Sequence, residues 1–315
     1  MHPDTMRLID RWVGIPLCFF ASFWPLKKAQ ADSNSTLATN IPPPDTIVFI
    51  LIAEIGALVV AYPAIKETRK QHPKSRICFI TAPAGLQTLE LMGFEKEDIF
   101  LLETSSIKSL LKGIVNIRSH FKGKRVSAIV LEPFTRFSTL LSAWIGASKR
   151  IGCYRFLNEG VYLGNILTHR LVYNPHLHMS QTYFALAKAL IEPDSAKPLL
   201  KEYIPSQIKN RLKINIPEKE RQTLMKRLQS ECPENPLKKI ILLNANASDI
   251  VPLRKWPLEN FVELGKQLLE NSEFTVVLTG SPEEKDVCED LALQINPYRT
   301  VNFAGKTSFK ELITL

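Results

Sequence analysis

The chain has 315 residues, 45% of them hydrophobic, and a formal net charge of +9. This length and apolar content are sufficient for two domains with packed cores, and they exclude an intrinsically disordered protein. The positive charge favours an anionic partner: a nucleotide, a nucleic acid or a membrane surface. Five scattered cysteines match neither a disulfide framework nor a zinc site, and they indicate a reduced, cytosolic protein.

Residues 1–44 differ in composition from the rest of the sequence. Residues 12–26 are apolar with basic residues on both sides, but this stretch is shorter than the roughly 20 residues that cross a bilayer as a helix. We expect an interfacial anchor with Trp12 and Trp24 at headgroup depth, followed by a polar linker. Two alternatives stay open: a cleaved signal peptide, since residues 29–31 are Ala-Gln-Ala, and a short spanning or packed segment.

Residues 45–195 alternate apolar, strand-like runs with segments of helical periodicity. This alternation predicts a parallel sheet covered by helices on both faces. The predicted strands are 46–53, 76–81, 98–102, 126–131 and 150–154, and the predicted helices are centred on residues 64, 89, 110 and 140, with a further helix over 181–191.

Residues 196–236 are charged and punctuated by proline, which predicts a connection between two domains that includes a helix over 218–229. A second alternation fills residues 237–315. Its predicted strands are 240–243, 275–278 and 300–303, and its predicted helices are 258–269, 283–293 and a segment that begins at 308. Because a doubly wound sheet commonly has about five or six strands, we expect this second domain to be incomplete.

The residues after strand 240–243 indicate the kind of ligand. The apolar run gives way to small polar residues, then to Arg254 and Lys255, then to a helix led by Pro257, and the next apolar run ends at Gly280. In a parallel sheet, ligands bind where strands give way to loops, and helix starts there offer free N–H groups and a positive dipole end to anions. A nucleoside diphosphate is the expected ligand.

Four C-terminal segments, taken in their order and spacing, resemble glycosyltransferase family 9, the heptosyltransferase family of bacterial lipopolysaccharide assembly. They are residues 240–248, 254–257, 278–284 and 302–308. Residues 47–56 and 62–64 resemble the family's opening strand, loop and helix more loosely. The resemblance covers about residues 45–315.

The resemblance implies an α/β protein of the GT-B type, with two Rossmann-like, doubly wound parallel-sheet domains and a cleft between them. Residues 45–195 would bind the acceptor and residues 237–315 the nucleotide-sugar. The implied reaction is inverting, metal-independent transfer of a heptose from a nucleoside-diphosphate donor, ADP-heptose, to a lipopolysaccharide-type glycolipid. The donor is a co-substrate, and no cofactor is implied. The enzyme would be cytoplasmic and peripheral on the inner face of the cytoplasmic membrane.

The resemblance also assigns a donor site. Its phosphate-binding residues would be Arg254, Lys255, Thr307 and Ser308, its ribose-binding or sugar-binding residues Glu284 and Glu283, and its loop-supporting residues Asn244, Ser248 and Gly280. No carboxylate cluster for a metal is visible, so the basic pair would stabilise the leaving phosphate. The alternatives are a solvated basic pair and ordinary helix capping by the Glu, Thr and Ser residues. A P-loop is excluded, because Thr300 occupies the position of its first glycine.

The catalytic base is the point at which this chain departs from the family. In the family an aspartate follows the loop glycine, whereas here Ala57 follows Gly56. Glu54 lies three residues before Ala57 in the same predicted loop, and we expect it to take the acceptor proton. The alternatives are a strand-end glutamate that faces solvent and a protein that has lost catalysis.

The predicted acceptor site is basic. No acidic residue lies between Glu132 and Glu159, and this stretch combines basic with aromatic residues, which suits a phosphorylated lipid. We assign acceptor binding to Arg136, Arg155 and His169, with a solvated basic face as the alternative. The histidines near His169 have no cysteine or carboxylate at metal-ligand spacing, so no metal site is expected.

Three other functions compete with sugar transfer. A non-catalytic protein that binds sugar-nucleotides or glycolipids is the strongest, because of Ala57 and the incomplete second domain. Nucleic-acid binding is disfavoured, because the basic residues are scattered and no recognised motif is present. An NAD-dependent oxidoreductase is disfavoured because the Gly-x-Gly-x-x-Gly fingerprint is missing after every predicted strand.

Overall fold

The computed structural model describes residues 3–23, 43–52, 55–133, 135–154, 161–192, 212–232, 237, 239–246 and 255–315. The chain divides into two compact units, Met1–Ile214 and Asn215–Leu315. Each unit has its own parallel sheet with helices packed against it. The five cysteines, which are shared between the two units, are all free and buried.

The first unit contains a six-stranded parallel sheet in the order β3-β2-β1-β4-β5-β6. Its strands are β1 (Thr46–Ile50), β2 (Arg76–Thr81), β3 (Ile99–Leu101), β4 (Val126–Val130), β5 (Lys149–Tyr154) and β6 (His169–Val172). The sequence predicted five of these strands. It did not predict β6, because this short edge strand contains two polar residues and alternates buried with half-buried positions.

Connections of four to six residues lead from β1, β2, β3, β4 and β6 to covering helices. These helices are α3 (Ile55–Gln71), α4 (Leu86–Leu91), α5 (Ile107–Phe121), α6 (Arg136–Trp144) and α7 (Met179–Lys188). Alternate residues of each central strand enter different cores. In β1, Ile47 and Phe49 pack with α3 and α7, whereas Val48 and Ile50 pack with α5 and α6. Helices therefore cover both faces of the sheet, as the near-continuous apolar strands predicted.

Two further helices, α1 (Pro3–Trp12) and α2 (Gly14–Phe23), pack on the first unit beside α6. Cys18 of α2 is completely buried. The predicted apolar segment of residues 12–26 is thus divided after Val13, and its helical part lies against the folded domain. Residues 24–42, which include Trp24 and the predicted linker, fall outside the described residues.

The second unit contains a three-stranded parallel sheet in the order β7-β8-β9 within the described residues. The strands are β7 (Lys239–Leu243), β8 (Phe274–Leu278) and β9 (Thr300–Asn302), and the helices are α8 (Glu218–Ser230), α9 (Leu258–Leu269), α10 (Lys285–Ile295) and α11 (Phe309–Thr314). One sheet face packs with α9 and α10. The other packs with Leu224 and Leu228 of α8, so the helix that the sequence analysis placed in the interdomain connection belongs to the core of this unit.

Candidate functional site

The carboxyl ends of β1 and β4 form the switch point of the first sheet. These strands are neighbours, and the chain leaves β1 toward the face covered by α3 but leaves β4 toward the face covered by α6. The two loops depart in opposite directions, and open parallel sheets bind ligands at such positions. The loops concerned begin at Leu51 and Leu131.

Glu132 lies at this switch point and joins its two loops. Its Oε1 accepts the backbone N–H of Ile52, after β1, at 2.9 Å. Its Oε2 accepts the hydroxyl hydrogen of Ser138, a completely buried residue of α6. Only 8% of Glu132 is exposed, so its carboxylate fixes the loop after β1 from inside the protein. Glu132 has no role among the sequence-based predictions, although an acid directly after an apolar strand is a visible signal.

The predicted base cannot be placed, because Ala53 and Glu54 lie outside the described residues. The residues that follow them are described. Gly56 is exposed in the first turn of α3, and Ala57 packs against the hydrophobic core beside that helix. The position that holds an aspartate in the family therefore carries a methyl group in an apolar contact.

Arg136 is 7% exposed and joins the N-terminal helices to the first unit. Its Nη1 donates to Asp10 Oδ2 at 2.6 Å, and its Nε donates to the Tyr162 carbonyl oxygen at 3.1 Å. These contacts give Arg136 a structural role, and its assignment to the acceptor stays a prediction. Arg155, assigned to the same site, lies outside the described residues.

His169 does not reach the carboxyl edge of the sheet. It is the first residue of β6 and therefore lies at the opposite, amino-terminal edge, and it is only 1% exposed. Its Nδ1 is 2.8 Å from the Thr168 hydroxyl, and its Nε2 is 3.1 Å from the Glu192 carbonyl oxygen. Both ring nitrogens therefore have local partners away from the switch point, and the acceptor assignment of His169 stays a prediction.

In the second unit, the loops after all three strands meet around Gly280. The Gly280 carbonyl oxygen accepts the N–H of Gly305, from the loop after β9, at 3.0 Å. A Cβ atom at Gly280 would lie 3.2 Å from Nδ2 of Asn246, from the loop after β7, and 2.9 Å from Oε2 of Glu284. Glycine is needed here for close approach. The predicted residues Gly280 and Glu284 are thus neighbours at the carboxyl edge of this sheet.

Asn244 shapes the first of these three loops. It is exposed, and its Oδ1 accepts the N–H of Asn246 at 3.1 Å, which forms an Asx turn directly after β7. Asn246 in turn donates from its amide to Cys288 Sγ at 3.3 Å. Asn244 therefore shapes the backbone of this loop, and its support of a donor stays a prediction. Ser248 lies outside the described residues.

Glu283, Glu284 and Ser308 occupy helix starts and act there as caps. Glu284 Oε2 accepts the N–H of Ser281 at 2.7 Å. The pKa of the exposed Glu283 carboxyl is lowered, first by a hydrogen bond with its own backbone N–H and then by one with Ser281. Ser308 and Glu311 form a capping box at the start of α11. Hydrogen bonds from the backbone N–H and the hydroxyl of Ser308 lower the pKa of the Glu311 carboxyl. The half-buried Thr307 precedes this cap. The capping alternative therefore accounts for the local role of these residues, and a ligand role stays a prediction.

The basic pair lies before α9. Arg254 falls outside the described residues, and Lys255 is exposed three residues before the helix begins at Leu258. Trp256 is fixed by an edge-to-face contact with Phe261, with ring centroids 4.8 Å apart. A positive side chain beside the amino end of a twelve-residue helix creates the electrostatics of an anion site. Among the described residues, no group of three or more histidine, cysteine or carboxylate side chains is placed to hold a metal ion.

Comparison with known proteins identifies similar sequences and folds. The family model for glycosyltransferase family 9 (heptosyltransferase) matches residues 127–315. The Escherichia coli ADP-heptose lipopolysaccharide heptosyltransferase II has a similar structure, with a TM-score of 0.62, 18% identity, and coverage of 86% of this chain and 76% of that chain. A family 9 glycosyltransferase from Veillonella parvula gives a TM-score of 0.63 and 18% identity, with 86% and 72% of the two chains covered. No curated protein matches the chain at the threshold applied.

A third similar structure contains a donor analogue. The E. coli heptosyltransferase WaaC with ADP-2-deoxy-2-fluoro heptose gives a TM-score of 0.56 and 14% identity, with 85% of this chain and 79% of that chain covered. At these identities the structural similarity establishes the fold. The predicted fold class, two Rossmann-like parallel-sheet units of the GT-B type, is confirmed.

Proposed function

The chain belongs to glycosyltransferase family 9, the heptosyltransferase family, and on that premise we propose that it transfers a heptose from a nucleoside-diphosphate donor to a lipopolysaccharide-type glycolipid. The family match covers the whole second unit and extends into the first at β4. Glycosyl transfer is the activity of the family. Heptose as the sugar, ADP as the nucleotide and the glycolipid as the acceptor are our proposals.

One observation supports donor binding most strongly: the three strand-end loops of the second unit meet at Gly280. Such a meeting of loops concentrates backbone N–H groups and helix starts at one edge of a parallel sheet, and a diphosphate needs both. The similar structure of WaaC holds an ADP-heptose analogue, which makes ADP-heptose the first donor to test.

We assign the donor contacts by charge and position. Arg254 and Lys255 precede α9, and they would neutralise the diphosphate as it leaves the anomeric carbon. Glu284 and Glu283 would accept hydrogen bonds from ribose or sugar hydroxyls, and Thr307 and Ser308 would contribute hydroxyls near the phosphate. The reaction would need no metal ion, because the side-chain cations would supply the positive charge.

The first unit would supply the acceptor and the base. Glu54 would take the proton of the acceptor hydroxyl while that oxygen attacks the anomeric carbon, the bond to the diphosphate breaks, and the configuration inverts. Glu132 supports this step indirectly. Because Glu132 holds the N–H of Ile52, two residues before Glu54 in the sequence, it would help to position the base. Glu132 is therefore a positioning residue.

The acceptor would be an anionic glycolipid, so the enzyme would work as a peripheral protein at the inner face of the cytoplasmic membrane. Arg155 stays our candidate for acceptor binding. Arg136 and His169 are not used in this proposal, because each is buried in structural hydrogen bonds.

A non-catalytic binding protein is the second candidate function. The observation that favours it is the apolar contact of Ala57, where the family has its aspartate. Such a protein would keep the donor loops of the second unit and would lack the base. It would bind ADP-heptose without consuming it.

The test offers the full chain ADP-heptose together with a heptose-deficient lipopolysaccharide precursor. We expect the precursor to gain one heptose by mass spectrometry while ADP is released, and we expect added EDTA to leave the rate unchanged. UDP-linked and GDP-linked sugars serve as control donors. ADP-heptose binding without transfer to any acceptor would favour the non-catalytic protein, and absence of both binding and transfer would contradict the proposed donor.

A further inference from the structure

The helices α1 and α2 are fixed to the first unit by one face. Ser22 Oγ accepts the N–H of Asn165 at 2.9 Å, and Asp10 pairs with Arg136. Two glycines permit close approach: a Cβ at Gly14 would lie 2.9 Å from Arg136 Cδ, and one at Gly164, whose φ is +59°, would lie 2.6 Å from the Cys18 carbonyl oxygen. Because the inner face is fixed in this way, the outer face has a defined direction.

The outer face exposes large apolar side chains. Trp12 is 72% exposed, Phe20 67% and Phe23 73%, and the other exposed apolar residues of this pair are Leu8, Ile9, Val13, Ile15, Leu17 and Phe19. Residues 14–23 contain no charged side chain. A helix that is apolar on all sides is normally buried on all sides, and a large exposed apolar patch marks an interaction site. We call this surface the α1–α2 face.

Helix α5 extends the surface with apolar and basic residues. Ile107, Leu111 and Val115 recur at every fourth position and are 58%, 57% and 58% exposed. Lys108 and Lys112, between them in the sequence, are also exposed. From residue 104 to residue 131 there is no acidic residue, and the basic residues are Lys108, Lys112, Arg118, Lys122, Lys124 and Arg125.

The α1–α2 face and α5 lie on the same side of the first unit. Helices α5 and α6 pack on one face of the sheet, and α2 packs beside α6. The guanidinium of Arg118, on α5, lies 5.0 Å from the ring of Trp144, at the end of α6. The three helices thus form one layer, and its outer surface combines aromatic, aliphatic and basic side chains.

We propose that this layer docks on the surface of an anionic lipid bilayer, with α1 and α2 lying in the plane of the membrane. Each of these helices has ten residues and is roughly 15 Å long, about half the hydrocarbon thickness. Among the described residues, no helix is long and apolar enough to cross a membrane. Aromatic residues buried at headgroup depth with lysines beside them match the pattern of interfacial helices.

Charge favours a bilayer over a second copy of this chain. A two-fold pair would bring the same surface of both copies together and would therefore oppose two acid-free basic segments. Anionic headgroups instead attract each lysine near the surface. The inference rests on the proposed function for the identity of the acceptor, but docking is measured without donor or acceptor, so the two can fail separately.

The experiment is vesicle flotation of the full chain. The vesicles contain equal parts of phosphatidylethanolamine and phosphatidylglycerol, and pure phosphatidylcholine is the comparison. We expect the double variant Phe20→Ser/Phe23→Ser to lower the partition coefficient roughly tenfold for each side chain. The matched control is Leu293→Ser/Tyr298→Ser in the second unit, where the residues are 59% and 66% exposed, and it should float like the wild type.

A second variant tests the charge. Lys108→Ala/Lys112→Ala should weaken binding to the anionic vesicles roughly fivefold per lysine and leave the weak binding to phosphatidylcholine unchanged. Circular dichroism verifies that each variant is folded. Equal flotation of wild type and Phe20→Ser/Phe23→Ser would overturn the proposal. So would a wild-type dimer that does not float and that Phe20→Ser/Phe23→Ser converts to a monomer.

Discussion

The two strand-end edges of this protein stabilise their loops by different means. In the first unit, the buried carboxylate of Glu132 holds the loop after β1. In the second unit, the half-buried carboxylates of Glu284 and Glu311 cap short turns, and the Gly280 carbonyl oxygen accepts the N–H of Gly305. A buried carboxylate is more costly to desolvate than a partly exposed one. On the proposed function, the first edge would hold a fixed loop beside the base and the second would leave its caps accessible to a charged donor.

The largest expected effect is a loss of turnover at the first edge that leaves donor binding at the second edge nearly unchanged. In Glu54→Gln, we expect turnover to fall roughly 10²–10⁴-fold while donor affinity stays nearly unchanged, because a general base acts on the chemical step. Steady-state transfer assays and calorimetry with ADP provide the two measurements. Glu103→Gln, an exposed acid after β3, is the control. Equal turnover of Glu54→Gln and wild type would assign the base to another residue.

The next effect concerns the fixed loop itself. Glu132→Ala would remove the acceptor for the Ile52 N–H and for the buried Ser138 hydroxyl, and we expect a loss of roughly 2–4 kcal/mol in the free energy of unfolding. Urea unfolding is followed in a Trp256→Phe background, where the remaining tryptophans all belong to the first unit.

Glu132→Gln distinguishes positioning from stability alone. It keeps one acceptor oxygen and should restore much of the lost stability. If the residue positions the catalytic loop, this variant should still show a lower kcat than wild type with little change in KM for the donor. Full recovery of both stability and kcat would show that Glu132 stabilises the fold without positioning the catalytic loop.

A smaller effect is expected at the open edge. Arg254→Ala should weaken ADP binding roughly ten- to hundredfold, because a charge-assisted contact to phosphate contributes on the order of 1.5–3 kcal/mol. Calorimetry on the full chain measures the change. Lys266→Ala removes an exposed cation from α9 and should bind ADP like the wild type. If both variants bind equally well, the phosphate assignment is wrong.

The smallest expected effect is on the pH dependence of stability, which should differ between the two units. All six histidines precede residue 215, so only the first unit can titrate through them. Burial, followed by the charge of Lys149, lowers the pKa of His72, and burial together with Lys124 lowers the pKa of His120. The unfolded chain therefore takes up these protons first as the pH falls below the usual histidine value of about 6.5, and the first unit should lose stability there.

Urea unfolding between neutral pH and pH near 5 tests this expectation. With Trp256→Phe, the first unit should show a lower midpoint as the pH falls. His72→Gln/His120→Gln should reduce that dependence, whereas His176→Gln, at an exposed site, should not. An unchanged pH dependence in the double variant would locate the effect in other groups.

The sequence alone predicted the strands and helices that neighbouring residues determine. The strands β1 and β8 were predicted because their own residues form apolar runs, and these residues are buried. Helix α9 was predicted over its full range from its periodicity and from the proline that precedes it. The strand β6 was not, since its edge position depends on pairing with β5. Local capping patterns at Ser308 and Glu284 were likewise visible in the sequence.

The candidate site was less predictable because its contacts are distant in sequence. Glu132 holds a residue 80 positions earlier, and Arg136 pairs with Asp10, 126 positions earlier. Nothing in the local sequence distinguishes an arginine that binds an acceptor from one that fastens an N-terminal helix. The position of His169 was hidden for the same reason, since the edge of the sheet at which it lies depends on how β6 pairs with β5.

The burial of the cysteines makes the arrangement of the two units measurable. All five thiols are free and buried, and burial raises the pKa of Cys18 and Cys78 to about 11 and that of Cys153 to about 12. The thiolate is the form that reacts with maleimides, so these native thiols should label slowly. Cysteines introduced at Val115 and Leu293, both exposed, would then carry a pair of spin labels or fluorophores in the otherwise native chain. The distance between the two units, with and without a donor, could then be recorded in solution.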